Sequence, residues 1–562
     1  MVTAFKRLFS SEQQSVTGAA ILIGASSLLS RILGVFRERL LVGAFGVGNT
    51  LDAYYASFQV PNFLYNLLIL GTLSVAFIPV FAEWYERDKR EAWKIASGIF
   101  SMTTVVMGVC SGLIIVFAGP FTRLVAPGFT GEKLALAISL TRLMAFSPFF
   151  FALSSVFGSL LNARKHFFAG AVAPLVYNLS IIIGIVVGGK TGDIHFVSWA
   201  VLIGALGHAA VQGISAVLFG FRVRRGFSLS HPGVRNVWRL FFPRIWGIDI
   251  SQISLLIGSI IGSMLVSGSV ALFNLASNVE ALPVSVLGTS FAIAVFPVFS
   301  QTLARGDRGG FLELFSRTSR QILFFLLPVG AITIVLRAHI IRLIIGTDKL
   351  SWDETRLAAA ALAFFATSLW AQGLTPLFSR AFYALKNTVV PVVISTIAVL
   401  IYVASAYGVL AYLNVHPTIS PTLIGFLRLR GIEDIRMLAL PFAFSIASFV
   451  QLFLLAIALH HLYGRLDGRR IFFSILKTGC GAIVALFVAR AGLFLAVQFI
   501  SDRTVLGVFV QAVVAFVLSI ASFFLIMRLL RSEEATLFLA SWKRKALKIS
   551  KPLGIGDATD MG

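Results

Sequence analysis

The chain has 562 residues, 57% of them hydrophobic and 13% charged, with a mean hydropathy of +0.90. Soluble domains carry about 45–50% apolar and 25% charged residues, so a soluble enzyme, a disordered chain and a secreted disulfide scaffold are excluded; Cys110 and Cys480 both sit inside apolar runs and frame no disulfide or thiolate metal site. The net charge of +23 comes from positives scattered between apolar segments, which points to loops facing an anionic leaflet rather than to nucleic acid.

A membrane span needs about 20 mostly apolar residues. Fourteen segments qualify, at 18–46, 51–83, 95–119, 134–162, 170–188, 195–220, 241–268, 270–303, 311–336, 357–385, 388–413, 437–462, 472–499 and 504–530. They are too long and too uniformly apolar for the roughly ten-residue alternation of a barrel. Lys6 and Arg7 precede a polar stretch, and the first apolar run carries Arg31 and continues past 40, so the start reads as a first span and not a cleaved leader. With the N-terminus inside, 29 Lys and Arg fall in inside segments and 12 in outside ones. That bias predicts both termini in the cytoplasm and an even number of spans.

The sequence repeats itself. Ala76-Phe-Ile-Pro79-Val-Phe81 recurs as Ala294-Val-Phe-Pro297-Val-Phe299, the prolines 218 residues apart, and Ala163 before Arg164-Lys165 matches Ala384 before Lys386 at an offset of 221. Six spans are therefore duplicated in one orientation, the parallel-repeat plan of transporters. The expected fold is an all-α polytopic membrane protein of about 14 transmembrane helices, with two six-helix lobes and two extra C-terminal helices. Its expected divisions are an N-lobe at 1–225, a cytoplasmic amphipathic linker at 226–240, a C-lobe at 241–465, extra spans at 466–531 and a basic tail at 532–562. Val234, Val237, Trp238 and Phe241 share one helical face of the linker, which suits a helix on the leaflet surface or an early start to span 7.

Gly184-Ile-Val-Val-Gly-Gly189-Lys190-Thr191 fits the phosphate-loop pattern. That loop works only between a strand and a helix, and here it trails an apolar run, so it reads as a Gly-rich span end. His460-His461 lacks an acidic neighbour and reads as interfacial packing. Intramembrane charges are more informative, because each is costly in lipid and usually faces a polar cavity. Span 1 holds Arg31, Arg37, Glu38 and Arg39, with Arg31 and Glu38 seven residues apart on one face. Asp52 opens span 2 and Glu280 falls within span 8; Arg244, Asp249 and Arg380 are weaker candidates. Arginine in a cavity points to an anionic substrate, since its planar fork binds phosphate or carboxylate in two-pronged fashion.

Ser30-Arg31-Ile-Leu-Gly34 with Arg37, then Phe45-Gly46, Asp52-Ala53, Pro61-Asn62 and Ala76-Phe77-Ile-Pro79, resembles the MurJ/MviN family of lipid II flippases. Ala126-Pro127-Gly128-Phe129, Leu161-Asn162-Ala163, Ala173-Pro174, Ser251-Gln252-Ile253, Ser267-Gly268-Ser269 and Leu287-Gly288 follow in the same order. The resemblance implies two six-helix lobes and two extra helices around a central cavity, within the wider multidrug, oligosaccharidyl-lipid and polysaccharide exporter superfamily. It further implies a transporter rather than an enzyme, moving lipid-linked peptidoglycan precursor from the inner to the outer leaflet of the bacterial cytoplasmic membrane by alternating access. The resemblance places Arg31, Arg37 and Asp52 on the cavity; together with the intramembrane charges, the expected substrate-binding residues are Arg31, Arg37, Glu38, Asn62, Asn278 and Glu280, with Asp52 and Gly34 in gating. No cofactor or metal is expected; the expected partners are the lipid-linked disaccharide-peptide, anionic lipids and cell-wall synthases. The chain departs from the family at Gln59, Tyr65, Leu70, Ser277-Asn278 and Asn387, where relatives carry charge. The lost charge keeps two alternatives open: a polysaccharide-unit or multidrug exporter of the same superfamily, and a transport-inactive scaffold for cell-wall enzymes.

Overall fold

The computed structural model describes residues 16–68, 73–164, 166–223, 231–245, 250–416, 421–464 and 466–540. Lys6, Arg7, Leu70, Arg224, Arg225, Asp249 and the tail beyond 540 lie outside the described residues, as do the side chains of Trp238, Phe241 and Arg244. The first half of the chain forms α1 (Val16–Phe45), α2 (Asn49–Leu68), α3 (Leu73–Arg87), α4 (Lys89–Val116), α5 (Ala118–Val125), α6 (Gly131–Met144), α7 (Ser147–Ala163), α8 (Phe168–Thr191) and α9 (His195–Leu218). Next come α10 (Pro232–Ile245), α11 (Ile250–Ser263), α12 (Ser269–Pro283), α13 (Ser290–Ala304), α14 (Arg308–Ile344), α15 (Trp352–Ala384) and α16 (Val389–Val415). The short α17 (Pro421–Leu427) precedes α18 (Ala439–Tyr463), α19 (Gly468–Phe499) and α20 (Val505–Leu529).

Helix starts follow local chemistry. The Asp88 carboxylate accepts from the Arg90 and Glu91 amides at the head of α4, and the Thr504 hydroxyl accepts from the Gly507 amide at the head of α20, satisfying donors that have no partner within the helix. The phosphate-loop-like stretch is the last two turns of α8, so the element before its glycines is a helix and not a strand.

Among the described residues, eleven helical stretches are long and apolar enough to cross a membrane, and they coincide with eleven of the fourteen predicted segments. The exceptions are segments 1, 2 and 7. Segment 1 is α1. The described residues of segment 2 belong to α2, with Pro61 inside it, and to α3, and residues 69–72 lie outside the described ones. Those of segment 7 belong to α10, which runs five residues past the expected end of the linker, and to α11, with residues 246–249 outside the described ones. Val234 and Val237 of α10 are buried against Ile95 and Phe221, while Arg235 and Arg239 are exposed. The amphipathic pattern of that helix is thus spent on protein core along its apolar face.

The duplication is visible in the elements. α6 and α7 run together as Gly131–Ala163 and α15 as Trp352–Ala384, both 33 residues long and 221 residues apart. α2 and α12 start 220 residues apart. The chain is a multi-pass, all-α membrane protein of two six-span repeats with α19 and α20 added.

Packing groups the chain into two compact units: residues 1–279, 341–364 and 391–447 in the first, and 280–340, 365–390 and 448–562 in the second. The first has an aromatic core in which Phe77, Phe81, Ile95 and Ile99 are buried with Trp93, Phe100 and Phe157 packed against them. In the second, Phe324 is buried against Phe523, Met527 and Ala485, joining α14 to α19 and α20. A buried aromatic side chain of this kind contributes about 1.5–3 kcal/mol through its area alone.

Candidate functional site

The first unit encloses a cavity of about 220 Å³. Its walls are Arg37 and Glu38 of α1, a face of α2 from Tyr54 to Phe63, Tyr177 of α8, Leu255 of α11, and Asn274 and Asn278 of α12. Tyr55, Gln59, Asn62 and Phe63 recur at helical spacing, so α2 turns one polar stripe inward. Segments 1, 2, 5, 7 and 8 all contribute to these walls. Their polar side chains line the cavity, which is where polar side chains are tolerated at membrane depth.

Glu38 is buried at 8% exposure and fully engaged. Arg37 Nη2 donates to its Oε1 at 2.6 Å and the Tyr55 hydroxyl donates to its Oε2 at 2.5 Å. Arg37 Nη1 donates to Asn178 Oδ1 at 3.2 Å, and the Asn178 amide is oriented by Ser30 Oγ and the Pro174 carbonyl, both 3.1 Å away. A buried ion pair is tolerated when its remaining bonds are satisfied, and here they are. Elsewhere the lining is amide and phenol: Gln59 Nε2 donates to Asn274 Oδ1 at 3.4 Å, and Asn274 Nδ2 donates to the Val270 carbonyl at 2.8 Å. Arg37 and Glu38 cancel, so the cavity wall is neutral and rich in hydrogen-bonding groups.

At the start of α2, two residues before the cavity-lining Tyr54, helix ends are clamped together. Asp52, in the first turn of α2 and 1% exposed, accepts from Lys133 Nζ at 2.7 Å, from the Gly268 amide at 2.7 Å and from the Ala271 amide at 2.8 Å. The two amides begin α12, so one carboxylate closes the electropositive start of a helix 216 residues away. The opposite arrangement occurs beside it. Arg39 Nη1 donates to the Arg342 and Leu343 carbonyls at 3.2 and 2.7 Å, at the C-terminal end of α14. Lys349 Nζ reaches the Ala44 carbonyl at the C-terminal end of α1. Anion on helix start and cation on helix end are the favourable pairings with the helix dipole. Ser267 Oγ donates to Asn49 Oδ1 at 2.8 Å, and Ser263 Oγ accepts from the Gly128 amide at 3.1 Å. At Gly128 a Cβ would collide with the Ser263 carbonyl, so this approach requires glycine.

The structure brings Arg37, Glu38, Asn62 and Asn278 around one cavity and puts Asp52 in the clamp. Arg31, seven residues before Glu38 on the same face of α1, is half-buried and lies outside the cavity lining, about 10 Å along the helix axis at 1.5 Å per residue. A Cβ at Gly34 would meet open space, so no close packing depends on it. Glu280 is buried in the second unit, facing Gln372. Sequence reasoning missed Arg39, Lys133 and Lys349 as clamp residues and Asn178 as the orienter of Arg37. A lone Asn among the apolar residues of span 5 was the one available signal.

The family profile described as lipid II flippase MurJ matches residues 41–515. The chain belongs to the lipid II flippase MurJ family. It is 28% identical over 402 residues to a probable lipid II flippase MurJ of Bdellovibrio bacteriovorus, covering 70% of this chain and 77% of that one. It is 30% identical over 368 residues to a probable lipid II flippase MurJ of Thermotoga maritima, covering 65% and 73%. A solved lipid II flippase MurJ in an inward closed conformation shares the fold, with a TM-score of 0.71 at 24% identity over 91% of this chain and 99% of that one. An inward-facing multidrug resistance MATE family transporter of the MOP superfamily shares it more distantly, with a TM-score of 0.59 at 16% identity over 79% and 98%. The MurJ relatives are flippases by name, that is, transporters. Asp52, Lys133 and the start of α12 lie within the matched residues 41–515, and Arg37, Glu38 and Arg39 directly precede them.

Proposed function

We propose that this chain is a lipid II flippase that carries the lipid-linked disaccharide-peptide head from the inner to the outer leaflet of the bacterial cytoplasmic membrane. The observation that carries the reading is the polar cavity of a MurJ-family fold, with the Asp52 clamp on the same helix as its lining. With both termini in the cytoplasm, as the 29-to-12 bias of positive charge supports, the clamp is the outer gate.

A cavity of about 220 Å³ is below the roughly 300 Å³ of the smallest drug-sized ligand sites, so the head enters only after the cavity widens. The described conformation is therefore a closed stage of the cycle. Arg37 is the group positioned for the pyrophosphate, and it is held by Glu38 until substrate arrives. The phosphate oxygens replace Glu38 on the guanidinium, Tyr55 keeps the displaced carboxylate, and the amides of Asn62, Asn274 and Asn278 take sugar hydroxyls. Gate opening breaks the three bonds to Asp52, and the head leaves on the outer side while the lipid tail stays in the bilayer. Anionic lipids bind the basic inner loops, and cell-wall synthases take the delivered precursor.

The test is complementation of bacteria depleted of their own lipid II flippase, reading outer-leaflet precursor. Rescue by the wild-type chain and loss with Arg37→Ala at equal membrane abundance is the expected outcome. Rescue that is indifferent to Arg37→Ala and to Asp52→Ala contradicts the reading and favours a scaffold.

A further inference from the structure

The second unit holds a carboxyl that the flipping scheme leaves unused. Glu280 lies near the end of α12 and is 4% exposed. Its Oε1 has no hydrogen-bond partner, and the side chain facing it is Gln372 of α15, a neutral amide. No charged side chain among the described residues acts on it. Arg380, two turns further along α15, is bonded to the carbonyl of Pro376 on its own helix. An ionised carboxylate at membrane depth needs a cation, a metal or several donors, and without them it is carried as the neutral acid.

The surroundings of Glu280 are built to change shape. Four residues on, Val284–Thr289 leave the α-helical path as a π-helical turn between α12 and α13. Such turns are frequent at functional sites and mark places where a helix bends. Inside this turn a Cβ on Gly288 would lie 2.5 Å from the Cα of Gly373, so the two backbones touch. Gly373 is the residue after Gln372, and Gln372 is itself tied back to Ser368, its Nε2 donating to Oγ at 2.9 Å. The Glu280 partner and the backbone contact of the hinge are thus consecutive residues of one helix.

We propose that Glu280 is a proton-binding site and that flipping in this chain is coupled to proton movement through it. With the proton on, the carboxyl is neutral and stays buried against Gln372 with the hinge as described. Loss of the proton leaves a charge that must reach water, and the π-helical turn is where α12 can move to expose it. A head carried outward is then exchanged for a proton carried inward: the carboxylate takes its proton from the outer side and releases it to the cytoplasm. A sodium site is disfavoured, because one carboxyl and one amide supply too few oxygens for a cation shell.

The proton-binding claim stands on the site alone; the coupling claim rests on the flippase reading, so two readouts separate them. Infrared spectroscopy of the full chain in lipid nanodiscs reads the site directly. The wild type is expected to show a protonated-carboxyl band that is absent in Glu280→Gln and shifted in Gln372→Leu, where the facing amide is gone. A band unchanged in Glu280→Gln overturns the site, and Gln372→Leu keeps that test available should the Gln variant fold poorly. Proteoliposomes with fluorescent lipid II read the coupling. One pH unit, acidic on the outer side, is expected to shift the wild-type outer-to-inner ratio by up to about tenfold, the change in proton activity, while a sodium gradient leaves it unchanged. In Glu280→Gln the ratios with and without the proton gradient are expected to be equal. A Glu280→Gln chain that still responds to the proton gradient, or a wild type that responds only to sodium, overturns the coupling. A wild type that flips nothing while showing the Glu280 band contradicts the flippase reading and supports the proton site.

Discussion

α2 and α12 open the same span in the two repeats and use their acids in opposite ways. Asp52 stands in the first turn of α2 and accepts from a lysine and two backbone amides. Glu280 stands in the last turn of α12 with one oxygen unpartnered and only a neutral amide for company. Both are almost fully buried, at 1% and 4% exposure, so burial alone does not distinguish them. The difference lies in the donors. An acid with a cation and two amides keeps its charge and ties elements together, and one with none sheds its charge by holding a proton. Duplication supplied the same helix twice, and local donors decided that one copy became a clamp and the other a titrating site.

Removing the Asp52 side chain breaks the comparison most severely. Asp52→Ala leaves Lys133 and two α12 amides unpaired, and losing one partner of a buried pair costs about 3–5 kcal/mol, which lowers the population of the closed gate by more than about a hundredfold. Complementation in a flippase-depleted strain is then expected to fail. Glu280→Ala lacks that penalty, because no cation is left behind, and normal folding by thermal denaturation in detergent is the expected result. Next in size is Gly128→Val, whose side chain collides with the Ser263 backbone. It separates these two parts of the clamp without touching a charge, and impaired flipping at normal abundance is expected.

Smaller effects come from the dipole pairings. Arg39→Met or Lys349→Met removes a cation from a helix C-terminus, worth about 0.3–2 kcal/mol, and a few-fold loss of flipping rate is expected in proteoliposomes. The smallest concerns the second unit, where Arg320 Nη1 bonds Glu533 at 2.8 Å and Glu534 at 2.7 Å. Its guanidinium holds the Glu533 carboxyl below its ordinary value, with Arg470 and Lys477 adding to the same field. The resulting stability is complete above about pH 4.3, the ordinary glutamate value. It is lost as the pH falls through the lower folded value. Acid unfolding of wild type and Glu533→Gln should therefore converge at low pH and differ slightly at neutral pH, since Glu533 is mostly exposed.

The repeats, the span count and the cavity acids and arginines of α1 were legible in the sequence because they depend on hydropathy and on rare charges. Arg37 and Glu38 stood out against an apolar run, and so did Asp52. The clamp was not legible. Arg39 bonds carbonyls more than 300 residues away and Asp52 bonds amides more than 200 away, and backbone acceptors have no side-chain signature. For Arg31 the sequence names the helix face it shares with Glu38 but not how far along that face the cavity extends. The π-helical turn at 284–289 carries no residue pattern of its own, and only Gly288 against Gly373 explains why the chain can pack there.

The most direct test of the gate reads its opening from outside the cell. Ser269 is 1% exposed beside the amides held by Asp52, and its Oγ makes no hydrogen bond. Ser269→Cys is therefore a small change at a sealed position. With Cys110 and Cys480 replaced by Ser, a membrane-impermeant maleimide applied to the outer face is expected to label this cysteine slowly. Adding Asp52→Asn removes charge-assisted bonds worth about 1.5–3 kcal/mol, so labelling should accelerate by about ten- to a hundredfold. Equal labelling rates with and without Asp52→Asn would leave no role for the carboxylate, and labelling from the cytoplasmic face alone would put the clamp on the wrong side; either result contradicts the account.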